Sequence, residues 1–283
     1  MNSLVIRLSS LGDVVLCGAV TGGLAPVSFL TRRAWAEVAR ALPGVEEVLV
    51  WEELSADSLR RPWKQVIDLH ASPRSRRLCL GLGAPVRRVR RYDLRRRLRV
   101  WAKAGAPPPP VVQRYAEAAG VPVAPRPWIP AAGTGETLGL VPGAAHASKR
   151  WPLARYAELA RRWSGPVVAF GGPEETAELS SLGVEVIAER GFQRTVEALA
   201  RCRRVVGGDT GLVHLARAMG VPTLALLGPT TAADGFWSDG AEVLELDLPC
   251  RPCSLHGGPS CPIGDHLCLR GIEVERVWQV IQP

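Results

Sequence analysis

The chain has 283 residues, a formal net charge of +8, 47% hydrophobic residues and seven cysteines, enough for one large domain or two of ordinary size, each with its own core. It holds no run of eighteen apolar residues, and its first residues pass straight into a strand pattern, so neither a membrane span nor a signal peptide is expected. Seven cysteines in so long a chain do not make a secreted disulfide scaffold, and the expectation is a soluble cytosolic protein.

Leu4 to Leu8 reads as a buried first strand, Ser9-Ser10-Leu11-Gly12-Asp13 as a turn, and Leu11, Val14, Val15 and Ala19 fall at helical spacing. A helix over Arg32–Ala41 and strands over Val45–Val50, Val66–Leu69 and Val86–Arg90 follow. Between Arg74 and Lys103, eleven Arg and one Lys stand against Asp93, a local charge of +11 that leaves −3 for the rest. The basicity belongs to this window and calls for an acidic partner there. A helix over Gln113–Ala119 precedes a Pro- and Gly-rich stretch, 120–135, which reads as a linker. The alternation restarts at Thr137–Val141. Pro152 is placed to open a helix whose face is Leu153, Tyr156, Ala157, Ala160 and Trp163. Strands over Val167–Phe170, Val184–Ile187, Val205–Val206 and Thr223–Leu227 come next, and Val274, Val277, Trp278 and Ile281 form a last helix stopped by Pro283. Asn occurs once, at Asn2, while Arg and Pro are abundant, which suits a heat-adapted source.

Strands alternating with helices imply parallel sheets, and ligands of such sheets bind beyond the carboxyl ends of strands. The first turn lacks G-x-G-x-x-G, which argues against a nicotinamide dehydrogenase. Three loops fall at strand ends: Arg7 to Val15, Val141 to Pro152, and Gly207-Gly208-Asp209-Thr210-Gly211-Leu212-Val213-His214. The last opens a helix, where unpaired N–H groups and the helix dipole favour a phosphate. Taken alone, Asp209 and Thr210 read equally well as helix caps.

The patterns S-S-L-G-D at Ser9–Asp13, K-R-W-P at Lys149–Pro152 and D-T-G-x-x-H at Asp209–His214, with Phe170-Gly171-Gly172-Pro173-Glu174-Glu175 and a cysteine-rich tail, resemble the ADP-heptose:lipopolysaccharide heptosyltransferases of glycosyltransferase family 9 from the first strand to the last helix. The resemblance implies an α/β protein of the GT-B fold, two Rossmann-like domains facing each other across a cleft: an acceptor-binding domain over 1–132 and a nucleotide-sugar domain over 133–283, with the last helix free to pack back on the first. It implies inverting transfer from an ADP-sugar, without a catalytic metal, to an anionic glycolipid or oligosaccharide acceptor.

By that resemblance Asp13 is the catalytic base, with Ser9, Ser10 and Gly12 shaping the turn beside it. Lys149, Asp209, Thr210, Gly211 and His214 face the donor diphosphate, and Glu174 or Glu175, with Glu175 favoured, holds the ribose. Each has a plainer reading: a helix cap for Asp13, a solvated lysine for Lys149, a core histidine for His214, first-turn charge for the glutamates. Where some relatives carry paired hydroxyls before the lysine this chain has Ala144 and Ala145, with Ser148 as a partial substitute. The arginine window, beginning at Arg74, suits an anionic lipid at the inner face of the cell membrane. Nucleic acid is not expected, because the window offers only Tyr92 and Trp101 for stacking. Cys250, Cys253, Cys261 and Cys268 are candidates for structural zinc, for disulfides or for buried thiols. The rivals are another nucleotide-sugar enzyme of the same fold, an epimerase or hydrolase, and a non-enzymatic binder of nucleic acid or anionic surfaces.

Overall fold

The computed structural model describes residues 1–130, 135–188, 191–234 and 241–282. The expected boundary at 132/133 and the closing Pro283 lie outside the described residues. The chain divides into two compact units, 1–92 with 109–130, and 93–108 with 131–283. The arginine-rich window is therefore split, and its last part, 93–103, groups with the second unit.

The first unit is a parallel sheet of β1 (Ser3–Ile6), β2 (Val27–Thr31), β3 (Val45–Val50), β4 (Gln65–Asp68) and β5 (Val86–Arg88), in the order β3-β2-β1-β4-β5. The second has β6 (Thr137–Val141), β7 (Val167–Phe170), β8 (Glu185–Ile187), β9 (Cys202–Gly208), β10 (Thr223–Leu227) and β11 (Glu242–Glu245), in the order β11-β10-β9-β6-β7-β8, also parallel. In each unit the chain winds outward from a central strand and then returns beside it. The order reverses between β1 and β4 in the first sheet and between β6 and β9 in the second. Loops leaving the carboxyl ends of those strands part at the reversal and leave room for a ligand.

The central strands β1 and β6 are apolar after their first residue because both faces are covered. Leu4, Ile6, Leu30 and Val66 pack with Trp63 in the first unit, and Leu138, Leu140, Val206 and Leu226 with Trp151 and Tyr156 in the second. The last helix, Val274–Ile281, packs on its own unit: Val277 and Ile281 join the second core, and Trp278 meets Trp163 edge-on at 6.4 Å. The stretch read as a linker is partly core, since Trp128 is buried, its ring lies against Gly18, and Ala124 N–H donates to the Ala19 carbonyl. Pro152 is the cap residue before helix Leu153–Arg162 rather than its first residue. Among the described residues no helix is long and apolar enough to cross a membrane.

Candidate functional site

Both strand-order reversals carry a buried-edge carboxylate. In the first unit β1 runs into Arg7 and a short helix, Leu11–Leu16, in which Asp13 is the third residue. Oδ2 of Asp13 gathers three donors: the Arg7 guanidinium at 2.6 Å, and the backbone N–H and hydroxyl of Ser10, each at 3.1 Å. Asp13 thus does cap its helix. None of the hydrogen bonds among the described residues falls on Oδ1, and the side chain is a third exposed. Arg7 is itself fixed, donating to the carbonyls of Ser9 (2.8 Å) and Leu69 (2.6 Å) and lying 5.9 Å from the centre of the Tyr115 ring. Burial works to raise the Asp13 pKa, but the Arg7 charge and the Ser10 bonds outweigh it, and the carboxyl is held below the usual range. Ser9 is half-buried, Gly12 is buried, and Arg74 is exposed, its guanidinium 5.8 Å from the Trp51 ring.

The sequence reading missed the partner segment. β4 ends at Asp68, which is fully buried and accepts from the N–H groups of His70 (3.2 Å) and Ala71 (2.8 Å) and from the Ser75 hydroxyl (3.1 Å). This ties down the turn that carries His70 between β4 and helix Pro73–Cys79. Burial and the nearby Arg7 charge push the His70 pKa down to about 4, so the ring is neutral near pH 7, and its Nδ1 is buried without a hydrogen-bond partner. The available signal was positional, an Asp-Leu-His run at the carboxyl end of a strand.

In the second unit the loops after β6 and β9 meet. Lys149 Nζ lies 2.7 Å from Asp209 Oδ2, and His214 Nε2 lies 3.4 Å from Asp209 Oδ1. Burial works to raise the Asp209 pKa, but the His214 bond and the Lys149 charge prevail, and the group is held far below the usual carboxylate range. Lys149 is mostly buried, so the solvated-lysine reading fails. The capping reading of this loop fails as well. Thr210 occupies the cap position of helix Gly211–Ala218 but makes no side-chain cap bond, and its Oγ1 is buried with no partner. The leading N–H groups of the helix are left without a side-chain acceptor at the place where its dipole is positive.

Several groups hold this loop in place. Trp151 is buried, donates to the Ile272 carbonyl at 2.9 Å and meets Tyr156 edge-on at 4.9 Å. Gly257, at φ +95°, lies against His146 and Lys149, where an added Cβ would stand 3.1 Å from Lys149 Cγ; only glycine suits both the backbone and the contact. Ser148 is buried and its hydroxyl accepts from Gly258 N–H at 2.8 Å. It ties the tail to the loop. The tail is itself held by Arg251, buried and donating to the carbonyls of Leu227, Gly228 and Thr230 and to Glu245.

The two glutamates separate clearly. Glu174 is exposed. Glu175 is mostly buried, Oε1 taking Arg150 at 3.0 Å and Oε2 accepting from Gly172 N–H at 2.9 Å. Its carboxylate occupies the space that a Cβ on Gly143 would take, which joins the β7 loop to the β6 loop.

Cys250, Cys253, Cys261 and Cys268 line one cavity of about 310 Å³ with Lys103 and Arg251. All seven cysteines are free thiols, so the expected alternative of disulfides is not realised. Among the described residues no group of three or more His, Cys, Asp or Glu side chains is arranged to hold a metal ion. The four thiols share a space but do not fit a zinc site as placed.

Residues 129–258 match glycosyltransferase family 9 (heptosyltransferase). Over 156 residues the chain is 29% identical to lipooligosaccharide heptosyltransferase 2 of Campylobacter jejuni, covering 50% of this chain and 48% of that one. Over 121 residues it is 36% identical to lipopolysaccharide heptosyltransferase 1 of Pseudomonas aeruginosa, covering 39% and 34%. The chain thus spans about half the length of the first of these curated relatives and about a third of the second. The structure superposes on Escherichia coli ADP-heptose lipopolysaccharide heptosyltransferase II with a TM-score of 0.73 over 99% of this chain and 97% of that one, at 23% identity. At that identity the likeness establishes the fold, a GT-B arrangement of parallel α/β units.

Proposed function

We infer that this chain, whose residues 129–258 match glycosyltransferase family 9, is a member of that family and an inverting glycosyltransferase. It takes a heptose or related sugar from an ADP-sugar and passes it to a lipopolysaccharide core or similar anionic glycolipid, without a catalytic metal, at the inner face of the cell membrane. The observation that carries the reading is the uncapped helix start at Thr210–Gly211, set beside Lys149 at the strand-order reversal of the second unit.

A diphosphate placed there accepts from the leading N–H groups of the helix. Lys149 supplies a compact cation for the charge that builds on the departing phosphate. Lys149 is already paired with Asp209, whose other oxygen meets His214, so it is held in one position before the donor arrives, and the acid keeps the cation from collapsing onto other oxygens. Glu175 is assigned to the ribose, because it stands at the β6 and β7 loops while Glu174 points to solvent.

The first unit is assigned to the acceptor. The acceptor hydroxyl attacks the anomeric carbon, a new C–O bond forms there, the bond to the diphosphate oxygen breaks, and ADP leaves with the electron pair. The hydroxyl proton passes to Oδ1 of Asp13 while Oδ2 stays bound to Arg7 and Ser10. A carboxylate held at low pKa is ionised at neutral pH but is a weak base, so the proton moves late, when the attacking oxygen has become acidic.

The test is ADP release from ADP-heptose with and without a phosphorylated core glycolipid. Release that depends on acceptor supports transfer, whereas equal release without it identifies a hydrolase and overturns the reading.

A further inference from the structure

The helix Asp93–Ala102 holds no buried residue. It is tied to the second unit by its charged side: Arg99 pairs with both oxygens of Asp234, Arg96 donates to the Leu255 carbonyl at 3.2 Å, and Lys103, just past its end, donates to the Cys250 carbonyl at 2.9 Å. At about 100° per residue, Arg96, Arg99 and Lys103 fall within a narrow arc of the helix. The opposite arc carries Leu94, Leu98 and Trp101, spaced four and three residues apart, and these are 73%, 47% and 84% exposed. This inverts the usual arrangement of a surface helix, whose apolar stripe faces the core. Arg95 and Arg97 flank the apolar arc on its two sides, and the segment 93–103 has five cationic side chains against one acid.

We infer that the face Leu94–Leu98–Trp101 is a membrane-docking face, which seats the protein on an anionic lipid bilayer with the three apolar side chains in the headgroup–acyl boundary. A helix with Leu and Trp on one side and arginines beside them matches such a surface in both respects. The apolar groups leave water, and the flanking guanidiniums meet lipid phosphates. The Trp101 indole suits the boundary, with a flat apolar body and one N–H donor. Charge decides for lipid over a second copy of this chain, because apposing two such faces would set Arg97 and Arg95 of each against those of the other. The inference builds on the reading of a glycolipid acceptor only in that such an acceptor resides in a membrane. The docking itself needs neither donor nor acceptor.

The test is co-sedimentation of the full chain with vesicles of phosphatidylcholine alone and of phosphatidylcholine with phosphatidylglycerol, without any sugar substrate. Binding is expected on the anionic vesicles, and L94S/L98S/W101S lowers the partition coefficient by about tenfold or more, the scale for losing three buried apolar side chains. Brominated lipid quenches part of the tryptophan emission in the wild-type chain, and W101F loses that part. All three side chains face solvent, so the melting temperature stays put and loss of folding is excluded as the cause. Equal vesicle binding by wild type and triple variant overturns the inference, as does an absence of quenching. So does a wild-type dimer that becomes monomeric in the variant with vesicle binding unchanged, which makes the face a self-association surface. Failure of transferase activity with vesicle binding intact sinks the proposed function and leaves the docking face standing.

Discussion

The two sheets have the same strand order about their reversal points, yet they hold the carboxylates there in different ways. Asp13 is built locally. Its partners Arg7 and Ser10 lie within six residues of it, all three bonds converge on one oxygen, and none of the hydrogen bonds among the described residues falls on the other. Asp209 is assembled from a distance. Lys149 comes from a loop 60 residues earlier, and both carboxylate oxygens are engaged, one by Lys149 and one by His214. A carboxylate with an open oxygen can accept a proton from a substrate, whereas one with both oxygens taken serves to position cations. On the proposed reading the same residue type, on the first strand's loop in one unit and on the returning strand's loop in the other, serves chemistry in the first and binding in the second.

Breaking each carboxylate's neighbourhood should therefore give different kinetic signatures. The largest effect is expected from Asp13→Asn, which keeps the shape and removes the base. Turnover should fall by about 10²–10⁴-fold, the usual worth of a positioned general base, while calorimetry shows donor affinity unchanged. An equal loss of donor affinity would place Asp13 in binding and erase the contrast. Lys149→Ala should do the reverse, weakening ADP-sugar binding by about 10- to 100-fold, as for a charge-assisted bond of roughly 1.5–3 kcal/mol, with a smaller effect on turnover at saturating donor. Calorimetry showing normal donor binding by that variant would remove the phosphate assignment.

The sequence reading succeeds where a pattern is local. β3, β6, β7 and β10 lie where apolar runs and turn residues put them, and the segments that carry Asp13, Lys149 and Asp209 follow β1, β6 and β9 as the sequence places them. It fails where the structure depends on distant pairing. β2 is buried along its whole length, but Val27–Thr31 contains Ser and Thr and follows a Gly–Pro-containing turn, so nothing local marks it as central. The helix Asp93–Ala102 has four arginines in ten residues and reads as a charge run until its partners Asp234 and Leu255 are known. His70 could not be weighed without the strand order, because only the pairing of β1 with β4 brings it beside Arg7. Trp128 sits amid prolines that look like linker, and only Gly18, more than a hundred residues earlier, explains its burial.

His70 offers a sharper probe of the first unit, through stability rather than rate. Its folded pKa of about 4 lies below the ordinary 6.5. Between those values the unfolded chain binds a proton that the folded chain refuses, so stability falls as pH drops through that window. Above about pH 6.5 the ring is neutral in both states and contributes nothing to this dependence. His70→Gln should leave the melting temperature at pH 8 nearly unchanged and flatten its decline between pH 6.5 and pH 4. Asp13 and Asp209, whose folded pKa values are lowered, lose their contribution only as pH falls further, so the two regimes separate along one titration. A decline of the same slope in the variant would show that burial and the Arg7 charge do not hold off the His70 proton.

The smallest effect separates the neighbouring glutamates. Glu174 is exposed, and Glu174→Gln should change ADP-sugar affinity by less than about twofold, as expected for a solvated charge. Glu175 is held by Arg150 and the Gly172 N–H, and the amide in Glu175→Gln has one acceptor oxygen where the carboxylate has two. That oxygen can keep one of these partners but not both and still accept from a ribose hydroxyl. An affinity loss of about fivefold to tenfold follows from one weakened hydrogen bond of roughly 1 kcal/mol or slightly more. The loss should vanish when the donor carries 2′,3′-dideoxyribose, because the carboxylate then has no hydroxyl to meet in either form. If Glu175→Gln weakens the dideoxy donor as much as the parent, Glu175 acts only by bracing the Gly143–Arg150 loop, and the ribose contact belongs to another side chain.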